Sequence, residues 1–225
     1  MIRILRVAAC ATAASLALAL ALPAVAAVQT YALDQAHTNV GFTVKHLGIT
    51  NVLGHFDDFA GTIQFDEDNP SQSTLDVTVQ TKSVNTGNSK RDDHLRSEDF
   101  FEVEKYPEMK FVSTSVKFMA PAASVKAKAA AKAAAGAHPK KFVLTGDLTL
   151  HGVTKPVVLT GEYLGKMSMG TDMQKVAFTA HGSINRQDFG VKWNRMMEVT
   201  HVVSDDVNID LEVEANSATA GPAGR

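Results

Sequence analysis

The sequence predicts an all-β domain of about eight or nine antiparallel strands, arranged as a sandwich or a closed barrel. Apolar and polar residues alternate with a period of two through most of the chain after residue 30, as expected for strands with one buried face. Turn-forming runs such as DEDNP and GVTKP separate the alternating stretches. The last stretch is as regular as the first, which favours closure because a closed barrel has no exposed edge strand.

The alternation also predicts which side chains face inward. In TNVGFTVKH, the residues on one face are Val40, Phe42, Val44 and His46. Comparable faces occur in GTIQFD, STLDVTVQT, MKFVSTSVKF, KFVLTGDLTLHG, KPVVLTGEYLG, KVAFTAHGSI and VNIDLEVEA. Small residues are expected at inward positions, at Gly41 or Ala60, Gly146, Ala180 and Gly182. We expect them to leave interior space that leucines would fill.

Residues 1–27 have the features of a secretory signal peptide. Arg3 and Arg6 precede an apolar run that ends in Pro23 and the small residues AVAA, which predicts export and cleavage near Ala26 or Ala27. The run is short for a membrane anchor, the alternative interpretation. The only cysteine lies within this segment, so the mature chain would contain neither a disulfide nor a thiolate metal site. No basic stripe with interleaved aromatic residues is present, and nucleic acid is therefore not an expected partner.

The remaining residues, 28–217, are expected to form one domain, followed by a flexible tail at 218–225. An insertion at 120–140 interrupts the domain, and eleven of its 21 residues are alanine. Its composition favours helix, but it has no apolar stripe, and an unpacked helix of this length is marginal in water. We expect a flexible or partly helical connection between two strands. The alternative is a basic arm that binds a surface.

A charged stretch, TGNSKRDDHLRSEDFFEVEKYP, breaks the alternation between Thr86 and Pro107. Ser89 and Asp92 match a capping box, which predicts a helix that starts near Asn88 or Ser89. We expect a short helical crossover over about 88–105 that lies across one end of the barrel. Long ordered connections are disproportionately functional. The residues leave open whether this one is a plug that closes the core or a lid over a cavity.

The chain contains none of the common hydrolase, zinc-protease or nucleotide-binding motifs. His46 is expected in the core or at its rim. His94 and Asp99 could act as an acid/base pair, although an ion-pair network with Arg91 and Arg96 accounts for the same residues. We therefore predict a non-enzymatic protein with no catalytic residues and no bound metal. Two alternatives stay open: an enzyme acting on an isoprenoid or quinone, and a structural or stress-response module with a filled barrel.

Four stretches carry a resemblance to a known family: AHTNVGFTVKHLGITNVLGHFDDFAGTI, TGNSKRDDHLRSEDFFEVEKYPEMKF, GDLTLHGVTKPVVL and INRQDFGVKWN. In this order they resemble the bacterial YceI-like family over nearly all of residues 30–215. The resemblance implies a lipocalin-like antiparallel β-barrel in the periplasm that holds a polyisoprenoid, an isoprenoid quinone or a similar long apolar molecule. Transport, storage or stress response is the implied role, without a cofactor. The insertion at 120–140 departs from the usual pattern.

Partners expected on this basis are a long-chain isoprenoid or other amphiphilic lipid, the inner membrane or a membrane protein in transient contact, and a second copy in a homodimer. The crossover would cover the apolar chain, and Arg91, His94 or Arg96 would meet a polar or phosphate head group. The candidate ligand-binding residues, in the cavity and the crossover, are Val40, Phe42, Val44, His46, Ile63, Phe65, Arg91, His94, Leu95, Arg96, Phe100, Phe101, Phe111, Gly146, Leu148, Phe178, Ala180 and Trp193.

Overall fold

The computed structural model describes residues 28–67, 69–119, 140–170, 173–193, 196–197 and 200–217. The signal peptide predicted at 1–27, the insertion up to residue 139 and the tail at 218–225 lie outside the described residues. The strands before the crossover are β1 (Gln29–Leu33), β2 (Asn39–His46), β3 (Thr50–Phe56), β4 (Phe59–Phe65), β5 (Thr74–Gln80) and β6 (Val84–Asn85). One helix, α1 (Ser89–Arg96), follows. The later strands are β7 (Glu108–Phe118), β8 (Lys140–Leu150), β9 (Val153–Met169), β10 (Met173–Asn185), β11 (Met196–Met197), β12 (Thr200–His201) and β13 (Val203–Ser217).

Eight strands close into a ring in the order β1, β4, β5, β7, β8, β9, β10, β13 and back to β1, and every neighbouring pair is antiparallel. Strands β2, β3 and β6 extend the same sheet from β13. The predicted lipocalin-like barrel with one short helix is therefore confirmed, and the sandwich alternative is wrong. Alternation explains the closure, because each strand turns one apolar face toward a common interior.

The last strand, β13, joins the two ends of the ring. Residues from Val203, opposite His46, to Glu212 pair with β2, and the last three residues pair with β1, with Ser217 opposite Tyr31. Strands β1 and β2 therefore occupy successive lengths of one side of β13. Its other side pairs with β10 over 206–216.

A polar network holds the connection between β1 and β2, residues 34–38, against β13. The Asp34 amide donates to the Glu214 carbonyl at 2.9 Å. Asn216 Nδ2 donates to Asp34 Oδ2 at 3.0 Å, and His37 Nδ1 lies 3.0 Å from the same oxygen. The ammonium group of Lys175 donates to it at 3.2 Å and also contacts Glu214. Hydrogen bonds from Asn216 and His37, aided by Lys175, hold the pKa of the Asp34 carboxyl well below its usual range.

The crossover begins as predicted, but with a different cap. The side chain of Asn88 accepts a hydrogen bond from the Arg91 amide at 3.1 Å, so Asn88, not Ser89, caps α1. Asp92 is buried and accepts instead from the amide and hydroxyl of Thr86, at 2.9 and 2.6 Å. The helix ends at Arg96, and turns follow it. The expected helical extent to about residue 105 is therefore too long. Within the described residues, no helix has the length and apolar composition needed to cross a membrane.

We expect the low pKa of Asp34 to make stability depend on acid. A lowered folded-state pKa contributes stability above the ordinary aspartate value of about 4, and this contribution is lost as the pH falls below that value. Asp34→Asn should therefore be less stable than the wild type at pH 7, and its free energy of unfolding should fall less steeply from pH 5 to pH 2. Urea unfolding across this range measures both. Asp76→Asn, at an exposed position on β5, is the control; parallel curves for wild type and Asp34→Asn would contradict the prediction.

The strands that flank the insertion, β7 and β8, are hydrogen-bonded to each other up to the ends next to the insertion. Phe118 pairs with Phe142, and the Met119 amide donates to the Lys141 carbonyl at 2.7 Å. Deleting Pro121 to Pro139 and inserting a short turn should therefore change the melting temperature little, because loop-closure entropy varies slowly with length. Calorimetry of the deletion, beside a variant with a Gly/Ser segment of the original length, tests this. A loss of several kcal/mol in both variants would show that the insertion packs on the barrel.

Candidate functional site

The barrel encloses a cavity of about 500 Å³ whose lining is predominantly apolar. Inward side chains of β1, β2, β3, β4, β5, β7, β8, β9, β10 and β13 form its wall. Toward the end of the barrel that carries the β9–β10 connection, aromatic rings pack against one another: the Phe65 ring lies 5.4 Å from that of Phe178 and 6.4 Å from that of Phe118. The lining near this end is apolar apart from the hydroxyl residues Ser73 and Thr74.

Sixteen of the eighteen candidate residues line this cavity. They are Val40, Phe42, Val44, His46, Ile63, Phe65, Arg91, His94, Leu95, Phe100, Phe101, Phe111, Leu148, Phe178, Ala180 and Trp193. Gly146 and Arg96 are not among the lining residues. Binding of a ligand by these residues stays a prediction.

The expectation that Gly146 leaves open space is wrong. A Cβ atom built at Gly146 would lie 2.3 Å from Cζ of Phe111, so the ring on the neighbouring strand already fills this space. The Phe42 ring covers Gly54 and the Phe142 ring covers Gly161 in the same way. A Cβ atom built at each glycine would lie 2.3 and 2.5 Å, respectively, from the nearest atom of that ring. Glycines of the barrel thus admit aromatic rings from adjacent strands.

The other small positions differ among themselves. A Cβ at Gly182 would meet Leu159 at 2.4 Å, and one at Gly41 would meet the Asn39 side chain at 2.8 Å. Ala60 is exposed on the outside of the barrel. Ala180 is buried and does line the cavity. Of the five small residues expected to leave space, Gly41 and Ala180 are the two that line the cavity.

The crossover forms a fixed part of the cavity wall. Leu95, Phe100 and Phe101 line the cavity, and the Phe101 ring meets that of Phe56 edge-on at 5.7 Å. Arg96 anchors the segment from outside the cavity: its Nε donates to the Lys82 carbonyl at 2.8 Å and its Nη2 to the Val84 carbonyl at 2.9 Å. The structure therefore gives no support to the expected contact of Arg96 with a ligand head group, because its guanidinium is bonded to the backbone and lies off the cavity lining. The crossover lines the cavity, and its role as a lid stays a prediction.

An aromatic group lies where the crossover meets the segment after β10. The rings of His94, Phe100 and Trp193 contact one another at centroid distances of 4.9 to 5.1 Å. His94 Nε2 lies 2.8 Å from Asp99 Oδ2. Asp99 is exposed and does not line the cavity. The pair therefore sits at the rim. The ion-pair network predicted with Arg91 and Arg96 is wrong for the described residues, because Arg96 pairs with Asp93 and Arg91 is bonded to Thr86.

Arg186 is a cavity-lining residue that the sequence reasoning missed. It is 4% exposed, and its Nη1 donates to the carbonyls of Val191 and Trp193, both at 2.8 Å. Its Nη2 pairs with Asp205 at 2.9 Å. Burial lowers the pKa of Arg186, and the Asp205 carboxylate opposes this shift. Arg186 thus holds the backbone that carries Trp193. The signal in the sequence that could have identified Arg186 is its position within INRQDFGVKWN, one of the stretches that carry the family resemblance.

One group of side chains has the composition of a metal site. Ligand atoms of Asp34, His37 and Glu214 lie within 4.8 Å of one another. The ammonium group of Lys175 contacts the carboxylates of Asp34 and Glu214. Its positive charge therefore balances their negative charge, as a metal ion would. None of the three residues lines the cavity. The group belongs to the network that holds β1 and β2 on β13.

Phe100 tests the crossover as a wall. It is 7% exposed and packed on His94 and Trp193, so Phe100→Ala should lower the free energy of unfolding by about 3–5 kcal/mol. Leu53→Ala, at a side chain 69% exposed, should change it by about 0.5 kcal/mol or less. Denaturant unfolding of the two variants measures the difference, and similar small effects would contradict the packing described here.

The closed ring of eight antiparallel strands around an apolar cavity defines a lipocalin-like barrel. The family model of the YceI-like domain matches residues 31–215, and the chain belongs to the YceI-like family. Protein YceI of Escherichia coli O157:H7 is 39% identical over 164 residues, which are 72% of this chain and 76% of that protein.

Solved structures agree with the fold. The Campylobacter jejuni YCEI protein is 38% identical, with a TM-score of 0.59 over 83% of this chain and 96% of that one. A polyisoprenoid binding domain from Saccharophagus degradans is 16% identical, with a TM-score of 0.57 over 85% and 100% of the two chains. The second similarity shows the fold alone.

Proposed function

We propose that the chain binds one long apolar lipid, a polyisoprenoid or an isoprenoid quinone, in the barrel cavity. The observation that carries the proposal is the apolar cavity of about 500 Å³ inside a closed ring of strands. This volume falls in the range of roughly 300–1,000 Å³ usual for small-molecule sites. A cavity that large also argues against the filled-barrel alternative.

Hydrocarbon burial supplies the affinity. Each buried CH₂ contributes at most about 0.8 kcal/mol, and large ligands realise nearer 0.3 kcal/mol per heavy atom. A chain of about forty carbons would then reach roughly −12 kcal/mol, on the order of nanomolar affinity, and one of about twenty carbons tens of micromolar. Such binding needs no reacting group. The name of the Saccharophagus degradans relative, a polyisoprenoid binding domain, agrees with this ligand class.

Binding rather than catalysis is the activity that this geometry favours. The one acid/base pair considered, His94 with Asp99, has its carboxylate at the exposed rim. The imidazole packs on Phe100 and Trp193. An acid/base role would require a reacting group near this pair, whereas the cavity as a whole offers apolar contact.

Export to the periplasm belongs to the same proposal. It rests on the charged and apolar pattern of residues 1–27 and on the role implied for the family. There the protein would carry or store its lipid, or take part in a stress response. It would exchange the lipid in transient contact with the inner membrane or a membrane protein, as a monomer or a homodimer.

Trp193 offers a direct test, because it is the only tryptophan and lines the cavity. Geranylgeraniol, a neutral twenty-carbon isoprenoid, should change its fluorescence with saturation. Ala180→Leu adds volume inside the cavity and should weaken binding several-fold. Ala60→Leu adds the same volume on the outer surface and should leave binding unchanged. Solvent extraction of protein purified from cells, followed by mass spectrometry, should show a long-chain lipid in the wild type and less of it in Ala180→Leu.

Two results would overturn the proposal. One is the absence of any saturable fluorescence change together with extracts that contain no stoichiometric lipid. The other is equal binding by the folded Ala180→Leu and Ala60→Leu variants, which would place the lipid outside the barrel.

A further inference from the structure

The cavity wall is asymmetric in charge. Its charged lining residues are Lys45, Arg91 and Arg186, accompanied by His46 and His94, and neither aspartate nor glutamate occurs among the described lining residues. The whole chain, by contrast, has a net charge of −2. All five basic residues belong to the end of the barrel formed by the β2–β3 hairpin, the crossover and the segment that follows β10. The opposite end contributes hydroxyl groups and aromatic rings.

The three cations are not equivalent. Arg186 is buried, its guanidinium bonded to three carbonyls and paired with Asp205. Lys45 Nζ donates to Asn51 Oδ1 on the neighbouring strand at 3.1 Å. Arg91 donates through Nε to the Thr86 hydroxyl at 2.7 Å and through Nη2 to the Thr86 carbonyl at 2.9 Å.

Arg91 therefore combines three properties that a head-group contact needs. It lines the cavity, it is exposed at the rim, and it forms no ion pair within the described chain. Lys45 shares these three properties but lacks the planar guanidinium. Thr86 stands between it and the buried Asp92, because the Thr86 hydroxyl also donates to Asp92. These bonds orient the guanidinium without placing a carboxylate against it. A planar guanidinium held in this way matches the oxygens of a phosphate group.

We infer that the site selects lipids with an anionic, phosphate-type head group over neutral lipids of the same chain, and that Arg91 is the residue that makes this selection. This inference rests on the proposed function, because the apolar chain must occupy the cavity for the head group to reach the rim. His46 and His94 lie on the lining at the same end, although His94 Nε2 is already bonded to Asp99. A phosphate ester is the chemistry that the site recognises.

Two neighbours of Arg91 provide matched controls. Lys90 is exposed, carries the same charge and is not a lining residue, so Lys90→Gln reports the long-range effect of charge. Arg91→Lys retains the charge but loses the planar fork. Arg91→Gln removes both. Arg96 is unsuitable as a control because its bonds to the Lys82 and Val84 carbonyls hold the crossover.

The experiment compares geranylgeranyl monophosphate with geranylgeraniol, each titrated below its aggregation limit against Trp193 fluorescence. Wild type should bind the phosphate about tenfold more tightly than the alcohol, as a charged hydrogen bond at a partly exposed site allows. Arg91→Gln should lose about tenfold in affinity for the phosphate and less than twofold for the alcohol. Arg91→Lys should lie between these variants, and Lys90→Gln should stay within twofold of wild type for both ligands. Inorganic phosphate alone should neither change the fluorescence nor compete at low millimolar concentration.

Each contrary result has a distinct meaning. If neither isoprenoid binds, the proposed function itself fails. Equal affinity of wild type for the two isoprenoids, with no effect of Arg91→Gln, overturns head-group selection and leaves lipid binding intact. Equal losses for both ligands in Arg91→Gln, with a lower melting temperature, would assign Arg91 to holding Thr86 and overturn the inference. So would an equal loss in Lys90→Gln, which indicates a diffuse field, or competition by inorganic phosphate, which indicates a site for the free anion.

Discussion

The cavity exists because β13 closes the ring, and closure depends on one strand pairing with three others. Strand β13 pairs along one side with β10 and along the other with β2 and then β1. A slip of one residue would turn each of its inward side chains, such as Val207, Ile209 and Leu211, to the solvent. The register is therefore strongly specified. The Asp34 network fixes the point where β1 gives way to β2, and a polar contact outside the barrel thus supports an apolar space inside it.

Closure alone does not determine how much space remains. A small eight-stranded barrel is just wide enough for its side chains to fill it or for one slender ligand to enter. Here Phe42, Phe111 and Phe142 lie on glycines of neighbouring strands, which brings the rings close to the wall. The glycines therefore act indirectly. They admit the rings of neighbouring strands close to the wall, and an apolar space remains inside the barrel.

Much of the fold and of the site could be predicted from the sequence, because the period of a strand is strictly two. Faces chosen by alternation, such as Val40, Phe42 and Val44, line the cavity as expected. The errors concern non-local relations. The space at Gly146 is decided by a ring on another strand, and alternation along one strand carries no information about its neighbour. Asn88 and Ser89 are adjacent and both able to cap, so the local pattern left the cap uncertain by one residue.

The two arginines of α1 show the same limit. Arg91 and Arg96 lie five residues apart in one charged stretch, and the local pattern does not distinguish their roles. Docking of the crossover on the barrel places Arg96 against the carbonyls of Lys82 and Val84 and leaves Arg91 on the cavity lining. Arg186 was missed because a strand-end arginine is usually exposed. Only the folded chain brings Val191, Trp193 and Asp205 around it.

Affinity and selectivity arise at different places in such a barrel. Contact with the apolar wall is non-directional and grows with the area removed from water, so it favours long chains without distinguishing their head groups. A polar head group buried without partners loses free energy, and it is therefore driven to the end where donors lie. At that end the charge of Arg186 is compensated by Asp205 and spent on fixing the backbone beside Trp193, whereas Arg91 is bonded only to the neutral groups of Thr86. A fully compensated cation orders its surroundings, and a cation bonded to neutral groups keeps a net field. At this end of the cavity Arg186 is of the first kind, and Arg91 and Lys45 are of the second.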